Sequence, residues 1–450
     1  MYNLVMPYAK GFPTFRVSKA LSLILAVLAF GSACYSVWWL RPLAHDGSRY
    51  VFQMLNLGTT YYDGYRYLHG IFQLPAVLLS EFGSFSPLTL TRVYFFTLVL
   101  PVFGFLIYHI TRSQRMHDLI IPLTLLLIGY LPGNSFLINS MFETSFFFYL
   151  MLRSEKKIQY YVFGLLAALG HSSIIIGFLL LIGFLLIEKY SRHKQVPATD
   201  FIFLSALTVL SAFLTVKMMF HIPVAAGKFV EVITSYLTNF TSERYLSSNI
   251  CILFLLLLYS NFLNNRYRKI VQPLLAVTAV LLVICIRDPM VIHTNSFDYR
   301  IFILVTIIGL LPVIWVARKD YRLEVTFLTW LTLMIVGSAY VIQDVRIGNE
   351  YRKLNSYFQN MKPEPGCYVH EVPGQVRSIA TGMAYPFYKM IIDNEYELKY
   401  LVFPDRTMGM DPCHDFELRK NGIVIFNEFM WMSRNGKFKL PDFINRGNSL

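Results

Sequence analysis

Charged side chains are scarce in this chain of 450 residues. Only 15% of the residues are charged, whereas 55% are hydrophobic and 16% are aromatic, and the mean hydropathy is +0.48. Soluble domains carry about 25% charged residues, so a soluble protein of this length is excluded. The composition instead predicts a polytopic membrane protein.

Motifs that identify common nucleotide-dependent and zinc enzymes are also absent. The sequence contains no Walker motif, no GxGxxG, no HExxH and no zinc-ligand spacing, and it has no internal repeat or low-complexity run. The sequence therefore identifies no cofactor. It leaves metal dependence open, because the acidic residues are scattered between the apolar runs and do not specify a divalent-cation site.

The formal net charge of +13 is unevenly placed along the chain. Residues 343–450 are nearly neutral, with 14 basic and 13 acidic residues, whereas residues 1–342 carry 26 basic against 14 acidic residues. The basic residues stand in short clusters between apolar runs, where lipid headgroups and topology select them. This pattern indicates a membrane surface as the partner and argues against nucleic acid.

Long apolar runs supply the predicted helices. A membrane span needs about 20 mainly apolar residues, and no cleavage pattern follows the first run, so we expect that run to be retained. The segment Ile71 to Leu79 is too short to cross and is predicted to be interfacial or re-entrant. About eleven transmembrane helices are predicted, near 20–40, 88–110, 118–132, 135–152, 158–171, 172–189, 200–220, 250–264, 270–287, 299–317 and 323–342.

Basic residues alternate between the two sides of these helices. With a cytoplasmic N-terminus, seventeen Lys and Arg residues fall in the inner segments and about eight in the longer outer ones. Cytoplasmic loops are enriched in Lys and Arg, so the N-terminus is predicted inside. Loops 41–87, 221–249 and 288–298 and the tail from about 343 then lie on the non-cytoplasmic side.

The predicted fold class is an all-α polytopic membrane protein with a small C-terminal α+β non-cytoplasmic domain. Residues 1–342 would form a transmembrane catalytic domain with the outer loop 41–87, and residues 343–450 a periplasmic domain of a bacterial inner-membrane protein. That compartment is oxidising, so Cys367 and Cys413, the two cysteines in polar sequence, are predicted to form a disulfide. The alternative is a pair of free thiols.

Asp46 is the first candidate for chemistry. It follows the first span in Arg41-Pro42-Leu43-Ala44-His45-Asp46-Gly47-Ser48-Arg49, where a carboxylate can act as a general base at the bilayer surface. His45 and Arg49 make this neighbourhood polar and are candidates to bind substrate. Asp63, within Tyr61-Tyr62-Asp63-Gly64, is the reserve acid. The plainer interpretation of Asp46 is a solvated loop residue or a helix N-cap.

Further candidates lie deeper in the chain. Glu143 falls within a predicted span, where an ionisable group needs a cavity or a partner, and it is either a substrate ligand or a paired structural acid. His171 starts a helix at the outer face and either binds a phosphate or serves a tight turn. Arg287 and Arg300 offer bidentate donors to a phosphate, or else pair with Asp288 and Asp298.

Taken together, these features resemble the GT-C superfamily of polytopic glycosyltransferases. The resemblance rests on the acid in the loop after the first span, the segment Gln73-Leu74-Pro75, the histidine of Gly170-His171, the arginine of Asp298-Tyr299-Arg300 and a non-cytoplasmic C-terminal domain. It implies a polyprenyl-phosphate sugar donor, a glycan, lipid or protein acceptor, Asp46 as the catalytic base, and Arg287, Arg300 and His171 as candidates to hold the donor phosphate.

One departure from that family leaves the base open. Many members carry paired acids in this loop, whereas Gly47 follows Asp46, so either Asp46 or Asp63 is the base. Two other functions remain as alternatives. One is an O-antigen or exopolysaccharide polymerase of the outer face, and the other is a lipid-linked glycan transporter or flippase, for which Glu143 is the best support and the missing repeat the main objection.

Overall fold

A computed structural model gives the fold of the chain. It describes residues 15–43, 46–61, 67–114, 116–126, 136–171, 174–191, 197–221, 234–242, 246–260, 265–285, 327–361, 366–370, 384–397, 400–404, 417–418, 423–427, 430–433 and 436–439. The following account concerns these ranges.

The protein is mostly helical. Ten of the eleven predicted segments overlap a helix in the structure, and the eleventh, 299–317, lies outside the ranges given above. The helices are α1 (Phe15–Trp38), α2 (Asp46–Leu57), α3 (Tyr67–Phe82), α4 (Pro87–Arg112), α5 (Met116–Thr124), α6 (Phe136–Arg153), α7 (Lys157–Ala168), α8 (Ile174–Ser191), α9 (Ala198–His221), α10 (Leu246–Tyr259), α11 (Asn265–Cys285), α12 (Phe327–Asn360) and α13 (Ala384–Asp393).

Five helices are long and apolar enough to cross a membrane, namely α1, α4, α9, α11 and α12, by the segments Phe15–Trp38, Pro87–Arg112, Ala198–Lys217, Arg266–Ile284 and Phe327–Asn360. Helix α7, by contrast, has 12 residues, which is about 18 Å of helix against a hydrocarbon core of about 30 Å. The five long helices are compatible with integral membrane insertion, and they do not establish a count of eleven crossings.

Helix α1 packs between α4 and α12. Its buried face toward them consists largely of small residues (Ser18, Ser22, Ala26, Ala29, Ser32, Ala33 and Ser36). Small side chains let membrane helices approach closely and leave serines free to bond across the interface. The Trp330 indole N–H donates to Ser22 Oγ at 2.9 Å. Toward the other end, the Tyr35 hydroxyl donates to Asn349 Oδ1 at 2.6 Å. Helices α1 and α12 therefore run parallel.

The ends of the helices sort into two groups. Lys19 Nζ, near the start of α1, donates to the carbonyl of Ser113, just after α4, at 2.9 Å. The guanidinium of Arg92, near the start of α4, lies 3.9 Å from the ring of Trp38 at the end of α1. The helices α1 and α4 are thus antiparallel. The end with Lys19 and Ser113 is the one predicted to face the cytoplasm, and the end with Trp38 and Arg92 is the one predicted to face outward.

Helix α12 is continuous over 34 residues. It runs from within the predicted last span, 323–342, into the predicted tail, so the predicted domain boundary after residue 342 falls inside one helix. Its buried residues form a single stripe from Thr329 to Phe358 at helical spacing. The helix is about 51 Å long, so it extends about 20 Å beyond a hydrocarbon core of ordinary thickness.

Short strands follow α12. Strands β1 (Gly366–His370) and β2 (Tyr400–Pro404) pair in parallel, with Cys367 opposite Leu401. Strands β3 (Glu417–Leu418), β4 (Ile423–Asn427) and β5 (Met430–Ser433) pair antiparallel in that order. Strand β1 begins at Gly366, and β4 directly follows Asn421-Gly422 in the sequence.

Segment 41–87, predicted to be an outer loop and called the outer segment for that reason, is largely helical where the structure describes it. The chain turns at Leu40, whose φ is 65°, and enters a short 3-10 helix (Arg41–Leu43) with all three residues buried. Helix α2 then packs against α3, α4, α6, α13 and β5, and every residue from Tyr50 to Asn56 is buried. The predicted interfacial segment Ile71 to Leu79 forms the middle of α3. Helix α2 is therefore the centre of this end of the molecule.

Candidate functional site

Helix α3 carries two buried polar residues on one face. His69 is 4% exposed and Gln73 is fully buried, among the apolar side chains Leu68, Phe72 and Ala76. Residues four apart lie above one another on a helix, so both polar groups face the same side. Buried polar groups cost free energy unless they are hydrogen-bonded, and both have partners on neighbouring segments.

The partner of His69 on one side is Glu143 of α6. The imidazole Nδ1 lies 3.2 and 3.3 Å from the two carboxylate oxygens, and Glu143 is 1% exposed. A carboxylate accepts hydrogen bonds, so Nδ1 carries the proton and donates to Glu143. The predicted ionisable group inside the helical array is thus paired within the protein, as the structural interpretation of Glu143 expected.

The other imidazole nitrogen of His69 contacts Tyr94 of α4. The Tyr94 hydroxyl lies 2.5 Å from Nε2, and with the proton on Nδ1 the hydroxyl donates to Nε2. The chain Glu143, His69, Tyr94 therefore joins α6, α3 and α4 and fixes both the tautomer and the plane of the imidazole. Tyr94 is fully buried, so this chain positions neighbouring groups and does not face solvent.

Two tyrosine rings connect this chain to the outer segment. The Tyr50 ring of α2 meets the His69 ring edge-on, with centroids 6.0 Å apart. The Tyr61 ring lies 5.8 Å from that of Tyr50. Tyr50 is one helical turn after Asp46, and Tyr61 precedes Asp63 by two residues. Helix α2 and Tyr61 are therefore both connected to the buried His69 network.

His171 belongs to the same neighbourhood. Its backbone N–H donates to Thr144 Oγ1 at 2.6 Å, and Thr144 follows Glu143 in α6. The backbone N–H of Leu68, next to His69, donates to the Leu169 carbonyl at 3.1 Å. A Cβ on Gly170 would overlap Thr144 Oγ1, so the turn between α7 and α8 needs glycine there. Of the predicted residues, the structure brings together Glu143 and His171, the latter half-buried.

A second buried charge pair lies under the outer segment. Arg41 forms an ion pair with Asp344 of α12, and the two side chains are 0% and 1% exposed. Ser36 Oγ of α1 donates to the Asp344 carbonyl at 3.3 Å. A buried charge requires an opposite charge close by, so Arg41 and Asp344 hold the entry to α2 against α12.

Helix α13 closes the site from the C-terminal side. The Tyr388 hydroxyl donates to Asn355 Oδ1 at 2.6 Å, and Asn355 Nδ2 donates to the Trp39 carbonyl at 3.0 Å. Burial raises the pKa of the Tyr388 phenol well above its ordinary value, and the neighbouring Tyr351 phenol adds to that rise. Tyr388 is therefore a neutral donor at physiological pH.

Residues 437 and 438 bind the far end of α2. The Lys437 N–H donates to the Asn56 carbonyl at 2.7 Å, and the Phe438 N–H donates to Asn56 Oδ1 at 3.2 Å. Lys437 Nζ also lies 2.9 Å from Glu81 Oε1 near the end of α3. The C-terminal segment thus joins α2 and α3 on the side that carries the predicted outer loop.

The remaining predicted residues have these positions. Asp46 is the first residue of α2 and Arg49 lies in its first turn, where an acid is favoured by the helix dipole. Cys367 lies in β1. The other predicted residues, His45, Asp63, Arg287, Arg300 and Cys413, lie outside the described residues, and so does the predicted disulfide, because it requires Cys413.

Sequence reasoning missed His69, Gln73, Tyr94, Arg41 and Asp344 as members of the site. One signal was present for the first two: polar residues stand four apart in an otherwise apolar stretch, which places them on one helix face. No comparable signal marked Tyr94, because tyrosines are common in this chain, with 29 of them. Within the described ranges, no group of three or more His, Cys, Asp or Glu side chains is arranged to hold a metal ion.

Comparisons with protein-family models, with curated proteins and with solved structures found no match.

Proposed function

We propose that the protein is a membrane glycosyltransferase of the GT-C type. It transfers a sugar from a polyprenyl-phosphate donor to a glycan, lipid or protein acceptor at the outer face of the membrane. The observation that carries the proposal is the position of the first turn of α2. Asp46 begins this helix one turn before Tyr50, whose ring packs on the buried His69 network.

In the proposed reaction, Asp46 takes the proton of an acceptor hydroxyl while the hydroxyl oxygen attacks the anomeric carbon. The bond between that carbon and the phosphate oxygen breaks, the configuration inverts and polyprenyl phosphate leaves. Arg287 and Arg300 are the proposed donors to the departing phosphate, where opposite charge lowers the barrier. No cation is assigned a role.

We also propose a membrane topology for this transferase. About eleven helices lie in a bacterial inner membrane, the shorter ones such as α7 sheltered by neighbouring helices, with the N-terminus in the cytoplasm. Residues 343–450 include a small α+β periplasmic domain closed by a disulfide between Cys367 and Cys413. The parallel packing of α1 and α12 supports an outer position for the tail, because both helices would then leave the membrane on the same side.

Replacing the proposed base tests the reaction. With Asp46→Asn, we expect release of polyprenyl phosphate from a panel of polyprenyl-phosphate hexoses and pentoses to fall by about 10²- to 10⁴-fold, the usual contribution of a general base. Membranes containing the full-length protein supply the acceptors, and the released lipid phosphate is measured. Asp63→Asn is measured in parallel.

Asp200→Asn is the matched control. Asp200 also stands in the first turn of a helix, α9, but on the side predicted to be cytoplasmic, so its loss removes a similar charge from a similar place without affecting transfer. Full activity of a folded Asp46→Asn variant would remove Asp46 as the base. If Asp63→Asn alone abolishes transfer, the base is Asp63. A lack of donor consumption by the unmodified protein would exclude the transferase.

A further inference from the structure

The partners of Gln73 reveal a role beyond filling the core. Gln73 Oε1 accepts the Tyr61 backbone N–H at 2.6 Å, and Gln73 Nε2 donates to the Tyr61 carbonyl at 2.7 Å. The side-chain amide therefore pairs with both main-chain groups of one residue, as a neighbouring β-strand would. Such pairing fixes the peptide groups on either side of Tyr61, two residues before Asp63.

His69 acts in the same way one turn earlier on α3. Its ring is held from both sides, by Glu143 at Nδ1 and by Tyr94 at Nε2, so it is a fixed surface and not a mobile side chain. Tyr50 packs on that surface. Tyr50 stands one turn after Asp46 on α2, so the His69 ring is part of the surface on which the beginning of that helix packs.

The two segments also contact each other. The Tyr50 and Tyr61 rings have centroids 5.8 Å apart, so α2 and Tyr61 are linked directly as well as through α3. Buried polar networks of this kind favour one arrangement because a displaced member would leave polar groups without partners. Helix α2 and Tyr61 therefore belong to one packed unit built on α3.

We propose that His69 and Gln73 are positioning residues, which hold Tyr61 and helix α2, whose first residue is Asp46, in one fixed arrangement. The proposal rests on the proposed function for the chemistry that Asp46 performs, but the fixed arrangement itself is a property of the fold. Enzymes need reacting groups placed closely, and small displacements cost large factors in rate. Loosening either contact lowers turnover while the donor still binds.

Hydrogen–deuterium exchange of the full-length protein in lipid nanodiscs tests whether Gln73 and His69 fix Tyr61 and the start of α2. The Tyr61 amide donates to Gln73, so its exchange reports that contact directly. With Gln73→Met, which keeps the length of the side chain but lacks the amide, exchange at Tyr61 should rise about tenfold, as expected for one lost buried hydrogen bond. The milder variant Gln73→Asn should lie between Gln73→Met and the unmodified protein.

The His69 contact is tested on α2. The first amides of a helix have no partner within it, so fraying of the first turn shows at the amides of residues 50–53, which bond back to residues 46–49. His69→Phe keeps a ring but removes both hydrogen bonds, and exchange at residues 50–53 should rise several-fold. Tyr94→Phe removes only the hydroxyl that contacts Nε2 and should have the same effect to a smaller degree.

Gln272→Met is the matched control for both. Gln272 is also a buried amide, 4% exposed, on helix α11. Its loss should leave exchange at residues 50–53 and at Tyr61 unchanged. Equal exchange at Tyr61 in Gln73→Met and Gln272→Met would overturn the role of Gln73, and equal exchange at residues 50–53 in His69→Phe and Gln272→Met would overturn that of His69.

Kinetics separate positioning from general stability. Using polyprenyl-phosphate sugar as the probe, we expect Gln73→Met and His69→Phe to lower kcat by 10-fold or more with KM within about 2-fold, the pattern of a contact that matters in the transition state. Unchanged kcat in variants with raised exchange would overturn the positioning role. If the unmodified protein has no transfer activity, the proposed function is wrong. The exchange measurement would still show whether Gln73 and His69 fix Tyr61 and the start of α2.

Discussion

The ion pair between Arg41 and Asp344 shows how a single residue shapes this end of the protein. Arg41 is fully buried, although it lies in a stretch that the sequence places at the membrane surface. Its guanidinium turns inward because the chain bends at Leu40, and it meets Asp344 on α12 there. The pair ties the start of the outer segment to α12, so a change at either residue acts on the position of α2.

Arg41→Met is expected to lower the free energy of unfolding by about 3 to 5 kcal/mol, because the Asp344 carboxylate then stays buried without its opposite charge. The double variant Arg41→Met/Asp344→Leu should recover most of this loss, since both charges leave together. Denaturant unfolding in detergent measures the difference.

Arg346→Met provides the comparison for this loss. Arg346 lies on the exposed face of the same helix, and surface substitutions of this kind change stability by about 0.5 kcal/mol or less. A loss in Arg41→Met no larger than that in Arg346→Met would mean that the buried pair does not stabilise the fold.

Helices are the scale at which the sequence was most informative. Apolar runs located ten helices that the structure describes, because a segment in lipid satisfies its backbone hydrogen bonds within a helix and exposes apolar side chains. The ends were less certain. Helix α12 continues 18 residues past the end predicted at 342, because its buried stripe of apolar residues, glycines and amides continues where the surrounding sequence becomes polar.

Ile342→Pro tests this continuity. Ile342 is 57% exposed, so the substitution removes little packing, but proline inside a helix costs about 3 kcal/mol or more. We expect a corresponding loss of stability and faster amide exchange between residues 343 and 358, measured in nanodiscs. Ile342→Ala, which loses the same exposed side chain, should have little effect. Similar behaviour of the two variants would indicate a flexible joint between separate domains at this point.

At the scale of the whole molecule, the described helix ends form two separate groups. Lys19 and Ser113 meet at one end, and so do Asp118 and Arg153, whose closest atoms are 3.7 Å apart. Trp38 and Arg92 meet at the other end, together with α2, α3 and the C-terminal segments. This grouping agrees with the alternation of basic residues, although the geometry alone does not say which end faces the cytoplasm.

Labelling of single introduced cysteines tests the two ends. Thr59→Cys lies at an exposed position after α2, whereas Gln114→Cys and Glu155→Cys lie at exposed positions at the opposite end. In sealed right-side-out vesicles, a membrane-impermeant maleimide should label Thr59→Cys at once and the other two only after permeabilisation. The unmodified protein gives the background from its own cysteines.

A reporter fused after Leu450 should be found on the same side as Thr59→Cys, because the C-terminal segments bind α2 and α3. If Thr59→Cys and Gln114→Cys are both labelled from the same side of the membrane, the proposed arrangement of the helices in the membrane is wrong. A cytoplasmic C-terminus would favour the polymerase alternative over the transferase.

The sequence by itself determined the membrane class, the approximate positions of the helices and the candidate status of Glu143, since these depend on composition and local periodicity. The tertiary structure alone decided which residues meet. His69, Tyr94 and Glu143 stand on three different helices, and Arg41 and Asp344 are 303 positions apart. Such contacts are set by helix packing, and no local pattern in the chain encodes them. The same packing surrounds α2, which turns a predicted surface loop into the buried centre of the candidate site.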